Sequence, residues 1–136
     1  MFADKVALSI NIEKKSEGVY LVNLSGRVDS DTYARLDDKV KPILVPSTKI
    51  LILDMTRINY ISSAGLAVIF QMKKYIEQRS GSFIIAGLQP QVKKVFDVVK
   101  ALPSENIFES QAEIDSYLDF IQKKELKKGK GSNEEA

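Results

Sequence analysis

Residues 51–69 read LILDMTRINYISSAGLAVI, and the fold turns on how this stretch divides. Ile50, Leu51, Ile52 and Leu53 run without alternation, the pattern of an inner strand with both faces buried under helices. From Ser63 toward Arg79, Leu66, Ile69, Met72 and Ile76 recur every three to four residues. Lys73, Lys74, Glu77 and Gln78 fall on the opposite side, so this half reads as an amphipathic helix. The strand is expected to end at Asp54, which leaves INYIS, residues 58–62, as the loop joining strand to helix. In open α/β sheets this edge is where functional groups gather.

Upstream, ALSINIEK alternates, with Leu8, Ile10 and Ile12 on one face and Ser9, Asn11 and Glu13 on the other, as in a half-buried strand. KSEG supplies a turn, and VYLVNLSG reads as the hairpin partner, ending at Gly26. Tyr33, Leu36, Val40 and Leu44 are then spaced like one face of a helix, with Asp29, Ser30 or Asp31 as its N-cap and Pro42 to bend or end it. Downstream, SGS closes the second helix and FIIAG reads as another inner strand. Pro90 opens a third helix carrying Val92, Val95, Phe96 and Val99, which Pro103 stops. NIFES, residues 106–110, reads as a short final strand. Ile114, Tyr117, Leu118 and Ile121 form the apolar face of a last helix. KKELKKGKGSNEEA, residues 123–136, is too polar and glycine-bearing to pack and is expected to be a disordered, charged tail. The order predicts one α/β domain over residues 1–122, a mixed sheet of four to five strands with about four helices packed against it.

At 136 residues the chain can bury a core without disulfides or a structural metal. It has no Cys and no His, so a disulfide scaffold, a Cys/His metal site and a Ser-His-Asp triad are excluded for this chain alone. The net charge of +2 sits in the tail, where five Lys face three Glu, leaving 15 basic and 15 acidic side chains in residues 1–122. That balance gives no overall drive toward nucleic acid. No run of about 20 apolar residues exists to span a bilayer, and MFADKVALSI lacks the pattern of a secretory signal, so a soluble cytoplasmic protein without membrane insertion is expected. GKGS, residues 129–132, lacks the strand, upstream glycine and helix of a phosphate loop. Asp37 and Asp38 diverge by about 100° on a helix and make no acid/base pair. Asp54 reads as a loop cap, and Met72 as core. No catalytic constellation, cofactor site or metal site emerges, and a non-enzymatic protein is expected. On spacing alone, Ser62 or Ser63 reads first as an ordinary helix N-cap, with Gly65 permitting close packing.

Taken together, LSGRVDSDT after the second strand, LILDMTRINYISSAGLAVI, and FIIAGLQPQVKKVFDVV behind it resemble a STAS domain, specifically a stand-alone anti-sigma factor antagonist, over roughly residues 7–122. The resemblance implies a switch. In that family the unmodified antagonist binds an anti-sigma factor that is also a serine kinase of the histidine-kinase-like ATPase type, which frees the sigma factor. The kinase phosphorylates a serine two residues before the helix-start glycine, and a phosphatase resets it. Counting back from Gly65 gives Ser63 as the phosphorylation site, with Ser62 the second choice. The family often has Asp-Ser-Ser or Asp-Ser-Thr there, so Ser62 stands where a carboxylate is usual and Ala64 where a second hydroxyl is. Expected partner contacts are Asn59, Tyr60, Ile61, Ser62, Ala64, Gly65 and Leu66, with Asp29, Ser30, Asp31 and Thr32 beside them. A phosphate brings about −1.5 to −2 charge, which free N–H groups at a helix N-terminus can hold while the fold survives. A partner packed on that surface would lose about 3–4 kcal/mol, a several-hundred-fold weakening. The alternative is an interaction module of a stressosome-like, lipid-transport or biofilm and secretion complex.

Overall fold

In the computed structural model, which describes residues 7–101 and 110–135, β1 (Leu8–Ser16) and β2 (Val19–Val28) form the expected antiparallel hairpin. The chain turns at Gly18, whose φ of 75° suits a residue without a Cβ. β2 lies parallel to β3 (Ile50–Ile61), and β3 parallel to β4 (Ser82–Ala86), giving a four-stranded mixed sheet in chain order. α1 (Tyr33–Val40) ends in a 3-10 turn at Lys41–Ile43 that holds Pro42. α2 (Ser63–Gln78) follows β3, α3 (Pro90–Ala101) follows β4, and α4 (Gln111–Glu135) closes the chain.

β3 does not stop at Asp54, as the sequence suggests, but continues to Ile61, so INYI is strand and not loop. Its buried residues explain the error. Leu51, Leu53 and Met55 alternate, but the next buried positions are Ile58 and Ile61, three apart. Two irregularities in the pairing with β2 cause this. Asn23 pairs with Asp54 and Ser25 with Arg57, then Gly26 with Ile58 and Arg27 with Tyr60, so β3 carries one extra residue at each place. Each extra residue reverses the faces, and the two reversals keep Ile58 and Ile61 on the core side. At the first bulge the Asp54 carboxylate accepts bonds from the N–H and hydroxyl of Thr56, at 3.0 and 2.6 Å, which is the capping role its position suggests.

The unalternating run Ile50–Leu53 is not buried on both faces. Leu51 and Leu53 are fully enclosed, whereas Ile50 and Ile52 are half-buried and stand outside the core. The register aligns Leu21, Ile52 and Ile84 in a row across that more open face, with Ile84 45% exposed. β-Branched residues favour strand on either face whether or not a helix covers it, so the run reported the strand without reporting its cover. FIIAG, expected as an inner strand, is an edge strand among the described residues.

β4 pairs only with Ile50–Asp54, so from Met55 onward β3 has β2 on one side and no strand on the other among the described residues. Side-chain amides take the place of a neighbour. Gln89 Nε2 donates to the Thr56 carbonyl at 2.9 Å, and Gln91 Nε2 to the Asn59 carbonyl at 3.1 Å. Gln122 bonds Ile61 both ways, accepting from its N–H at 3.0 Å and donating to its carbonyl at 2.8 Å. A glutamine carries the same carbonyl and N–H functions as a peptide group, so it can satisfy a strand edge locally. Gln91 and Gln122 are 4% and 1% exposed, within the core that also holds Val92, Val95, Leu118 and Ile121.

Lys123 onward is helical, a continuation of α4 to Glu135, in place of the disordered tail expected there. Lys, Glu and Leu are good helix formers, and Lys123 pairs back with Asp119 at 2.9 Å, so the helix has no reason to stop at residue 122. Pro103 and all of the expected strand at 106–110 except Ser110 lie outside the described residues. Ser110 is the residue before α4, and its side chain accepts from the Glu113 N–H at 3.1 Å.

Gln91→Leu keeps the volume of the side chain but leaves the Asn59 carbonyl and Gln89 Oε1 without their donor. Urea denaturation is expected to show a loss of about 1–3 kcal/mol; unchanged stability would mean that water serves this edge as well as the amide does.

Candidate functional site

The end of β3 passes directly into α2. Ser62 is extended, with φ −101° and ψ 176°, and its N–H donates to the Val28 carbonyl at 2.9 Å, prolonging the pairing with β2. Its side-chain oxygen accepts from the Gly65 N–H at 3.3 Å, so Ser62 is the N-cap of α2, and it is buried. A Cβ on Gly65 would stand 2.6 Å from the Val28 carbonyl oxygen and 2.7 Å from Val28 Cγ1. The glycine is therefore what lets the first turn of α2 press against the end of β2.

Beside it, Asp29 folds the turn ahead of α1. Its Oδ1 accepts from the N–H groups of Asp31 and Thr32 at 2.9 and 3.2 Å, and its Oδ2 from Arg27 Nε at 3.0 Å. The Thr32 hydroxyl accepts from the Asp29 N–H and donates to the Arg27 carbonyl, at 2.9 and 2.8 Å. Thr32, not one of the three residues before it, occupies the N-cap position, and its side chain makes no capping bond to the helix. Its hydroxyl is spent on the turn. Burial pushes the Asp29 carboxyl up, but the bonds from Arg27, the Asp31 N–H and Thr32 together hold it below the ordinary range.

Arg27 joins this turn to β3, because its guanidinium carbon lies 4.2 Å from the centre of the Tyr60 ring. The Tyr60 hydroxyl in turn donates to Asp119 of α4 at 3.1 Å. Burial, and then the Asp119 bond, push the Tyr60 phenol up to about 12. The hydrogen bond from Lys123, followed by the one from Tyr60, holds the Asp119 carboxyl down despite some burial.

α4 also reaches Ser63. Asp115 Oδ1 accepts the Ser63 N–H at 2.8 Å across 52 residues of sequence. The sequence reading left the N–H groups at this helix start open for a phosphate, yet those of Ser63 and Gly65 are engaged. Ser63 Oγ is buried and has no hydrogen-bond partner among the described residues.

The expected contact residues thus gather on one side of the domain but are not equally available. Ser30, Asp31 and Asn59 are exposed; Asp29, Tyr60, Ser63 and Ala64 are half-buried. Thr32, Ser62 and Gly65 are enclosed, and Ile61 and Leu66, expected among the partner contacts, are core residues at 0% and 4% exposure. The bulges turn Ile61 inward and the helical period does the same for Leu66. Arg27, Asp115, Asp119 and Gln122 belong to the same cluster and were not anticipated. Only the spacing of the last three along one side of the final helix could have hinted at a shared contact. Among the described residues, no group of three His, Cys, Asp or Glu side chains could hold a metal ion, and no helix is long and apolar enough to cross a membrane.

The STAS domain family model matches residues 11–127. The chain belongs to the STAS domain family. Among curated relatives, this STAS domain is 31% identical over 84 residues to the putative anti-sigma factor antagonist BtrV of Bordetella bronchiseptica, covering 62% of this chain and 72% of that one. Among solved structures it is similar to the anti-sigma factor antagonist SpoIIAA in its unphosphorylated form, with a TM-score of 0.61 and 18% identity over 68% of this chain and 81% of the other. The Bacillus cell fate determinant SpoIIAA in the phosphorylated form is similar at a TM-score of 0.58 and 17% identity, covering 67% and 83%. At these identities the two structures establish the shared fold.

Gly65→Ala is expected to cost about 1–3 kcal/mol of stability in denaturant titration, because the methyl meets backbone that cannot retreat; a neutral result would mean that α2 shifts freely. Asp29 has a lowered folded pKa, so its contribution is present above its unfolded pKa of about 3.9 and is lost as pH falls through the folded value. Thermal melts of wild type and Asp29→Asn should differ at pH 7 and begin to converge as pH falls below about 4. A constant difference down to pH 3 would assign the stabilisation to something other than the carboxylate.

Proposed function

We propose that this STAS domain is an anti-sigma factor antagonist that works by partner switching in the cytoplasm. The observation that carries the reading is the placement of the serine pair: Ser62 caps α2 from within the core, and Ser63 opens the helix beside the Asp29 turn and Tyr60. The sequence relationship to named antagonists supports it. Unphosphorylated, the domain binds an anti-sigma factor that is also a serine kinase of the histidine-kinase-like ATPase type, and the sigma factor is released. Phosphorylation at Ser63 ends that complex, and a phosphatase restores it.

The docking surface in this reading is the polar and aromatic patch of Asp29, Ser30, Asp31, Asn59, Tyr60 and Ala64 around Ser63. Tyr60 is held on one face by Arg27 and at its hydroxyl by Asp119, so it meets a partner with little ordering left to do. A dianion introduced at Ser63 would stand beside a partner packed on the patch around it, and the desolvation and repulsion fall on the complex. The role requires no catalysis by the domain itself.

Affinity capture from native cytosol, with wild type and Ser63→Glu as baits, tests the reading. The wild type is expected to retain a kinase-type ATPase that the variant loses. Retention of the same proteins by both baits, or of a transporter ATPase or stressosome scaffold, would refute it. With the partner in hand, Tyr60→Ala should weaken binding by roughly tenfold or more; unchanged affinity would remove Tyr60 from the interface.

A further inference from the structure

We propose that α4 is a built-in cover over Ser63, which leaves when that residue becomes negatively charged. The inference deepens the proposed function and rests on Ser63 as the switch residue. Its grounds are a set of bonds from one side of α4 to the end of β3 and the start of α2. Asp115 accepts the Ser63 N–H, Asp119 accepts the Tyr60 hydroxyl, and Gln122 bonds both backbone groups of Ile61. Residues 115, 119 and 122 lie on one side of a helix by their spacing. Leu118, between them, is 1% exposed.

Beside this cover the Ser63 hydroxyl is shut off from solvent and has no hydrogen-bond partner among the described residues. An enzyme that acts on Ser63 needs α4 to lift first. Asp115 meanwhile holds a backbone N–H at the positive end of the α2 dipole, the group that would otherwise receive a phosphate on the same residue. Phosphate and carboxylate cannot both occupy that position without strong repulsion, and Asp119 adds a second negative charge nearby. Arg27 and Lys123 stand at the edge, but each is already paired, with Asp29 and Asp119 respectively. Modification therefore prevents α4 from closing again. The segment that shields Ser63 becomes, after phosphorylation, a displaced helix that marks the modified state.

The chain has no cysteine, so Ser63→Cys supplies a single thiol. Its reaction with N-ethylmaleimide is followed by intact-mass spectrometry. The folded variant is expected to react about 100-fold slower than in denaturant, and adding Asp115→Asn with Gln122→Ala should raise the folded rate at least about tenfold. Ala64→Cys, labelled in parallel, controls for general loosening and should respond little to the same pair of changes. Hydrogen exchange of wild type and Ser63→Glu gives a second reading: amides of residues 112–128 should exchange faster in the variant while β1 and β2 stay unchanged. Free reaction of the Ser63→Cys thiol, indifference to the α4 changes, or unaltered α4 exchange in Ser63→Glu would each overturn the proposal. None of these measurements uses an anti-sigma factor. A positive result without any captured kinase would leave the cover standing and the antagonist reading refuted.

Discussion

Every strand edge must find hydrogen-bond partners, and β3 is longer than the strand beside it. From Met55 onward its open edge needs donors and acceptors that β4 does not reach far enough to give. Glutamine amides at the head of α3 and in α4 supply them. Much of the domain's arrangement follows from this requirement. α3 must begin close to Thr56, and α4 must lie across the end of β3. Once there, α4 carries Asp115 and Asp119 to the start of α2.

The sequence showed the elements that depend on periodicity. The hairpin, the amphipathic α2, its start at Ser63 and the closeness allowed by Gly65 all follow from patterns within a few residues. It did not show how far β3 runs, because two inserted residues turn an alternation of two into a spacing of three, which no longer looks like a strand. It also could not tell which faces are covered. Ile52 and Leu53 are equally apolar and sit in one unbroken run, so they read alike though one is half-open and the other enclosed. The extension of α4 past residue 122 was hidden by charge and glycine, which suggested disorder more strongly than lysine and glutamate suggested helix.

The site was legible where neighbours in sequence are neighbours in space. Asp29 and Thr32, three residues apart, lock a turn, and the Ser62 side chain caps α2 at the N–H of Gly65, three residues on. The contributions of α4 arrive from more than 50 residues away, and local pattern holds no trace of them. One departure from the familiar pattern gains a physical counterpart here. The residue before Ser63 is a serine where a carboxylate is usual, and a carboxylate nevertheless stands at the Ser63 N–H, delivered by Asp115.

The two bulges in β3 also set how this segment can change over generations. Among residues 54–61, Met55, Ile58 and Ile61 are enclosed, whereas Thr56, Arg57 and Asn59 are exposed. Deleting a single residue there would flatten one bulge, because the residues left would pair one for one with β2. Ile58 and Ile61 would keep their partners on β2, but the strand would lose the bend and added twist that a bulge gives. The two extra residues thus shape the course of β3 toward Ser62, while pairing with β2 holds Ile58 and Ile61 to the core.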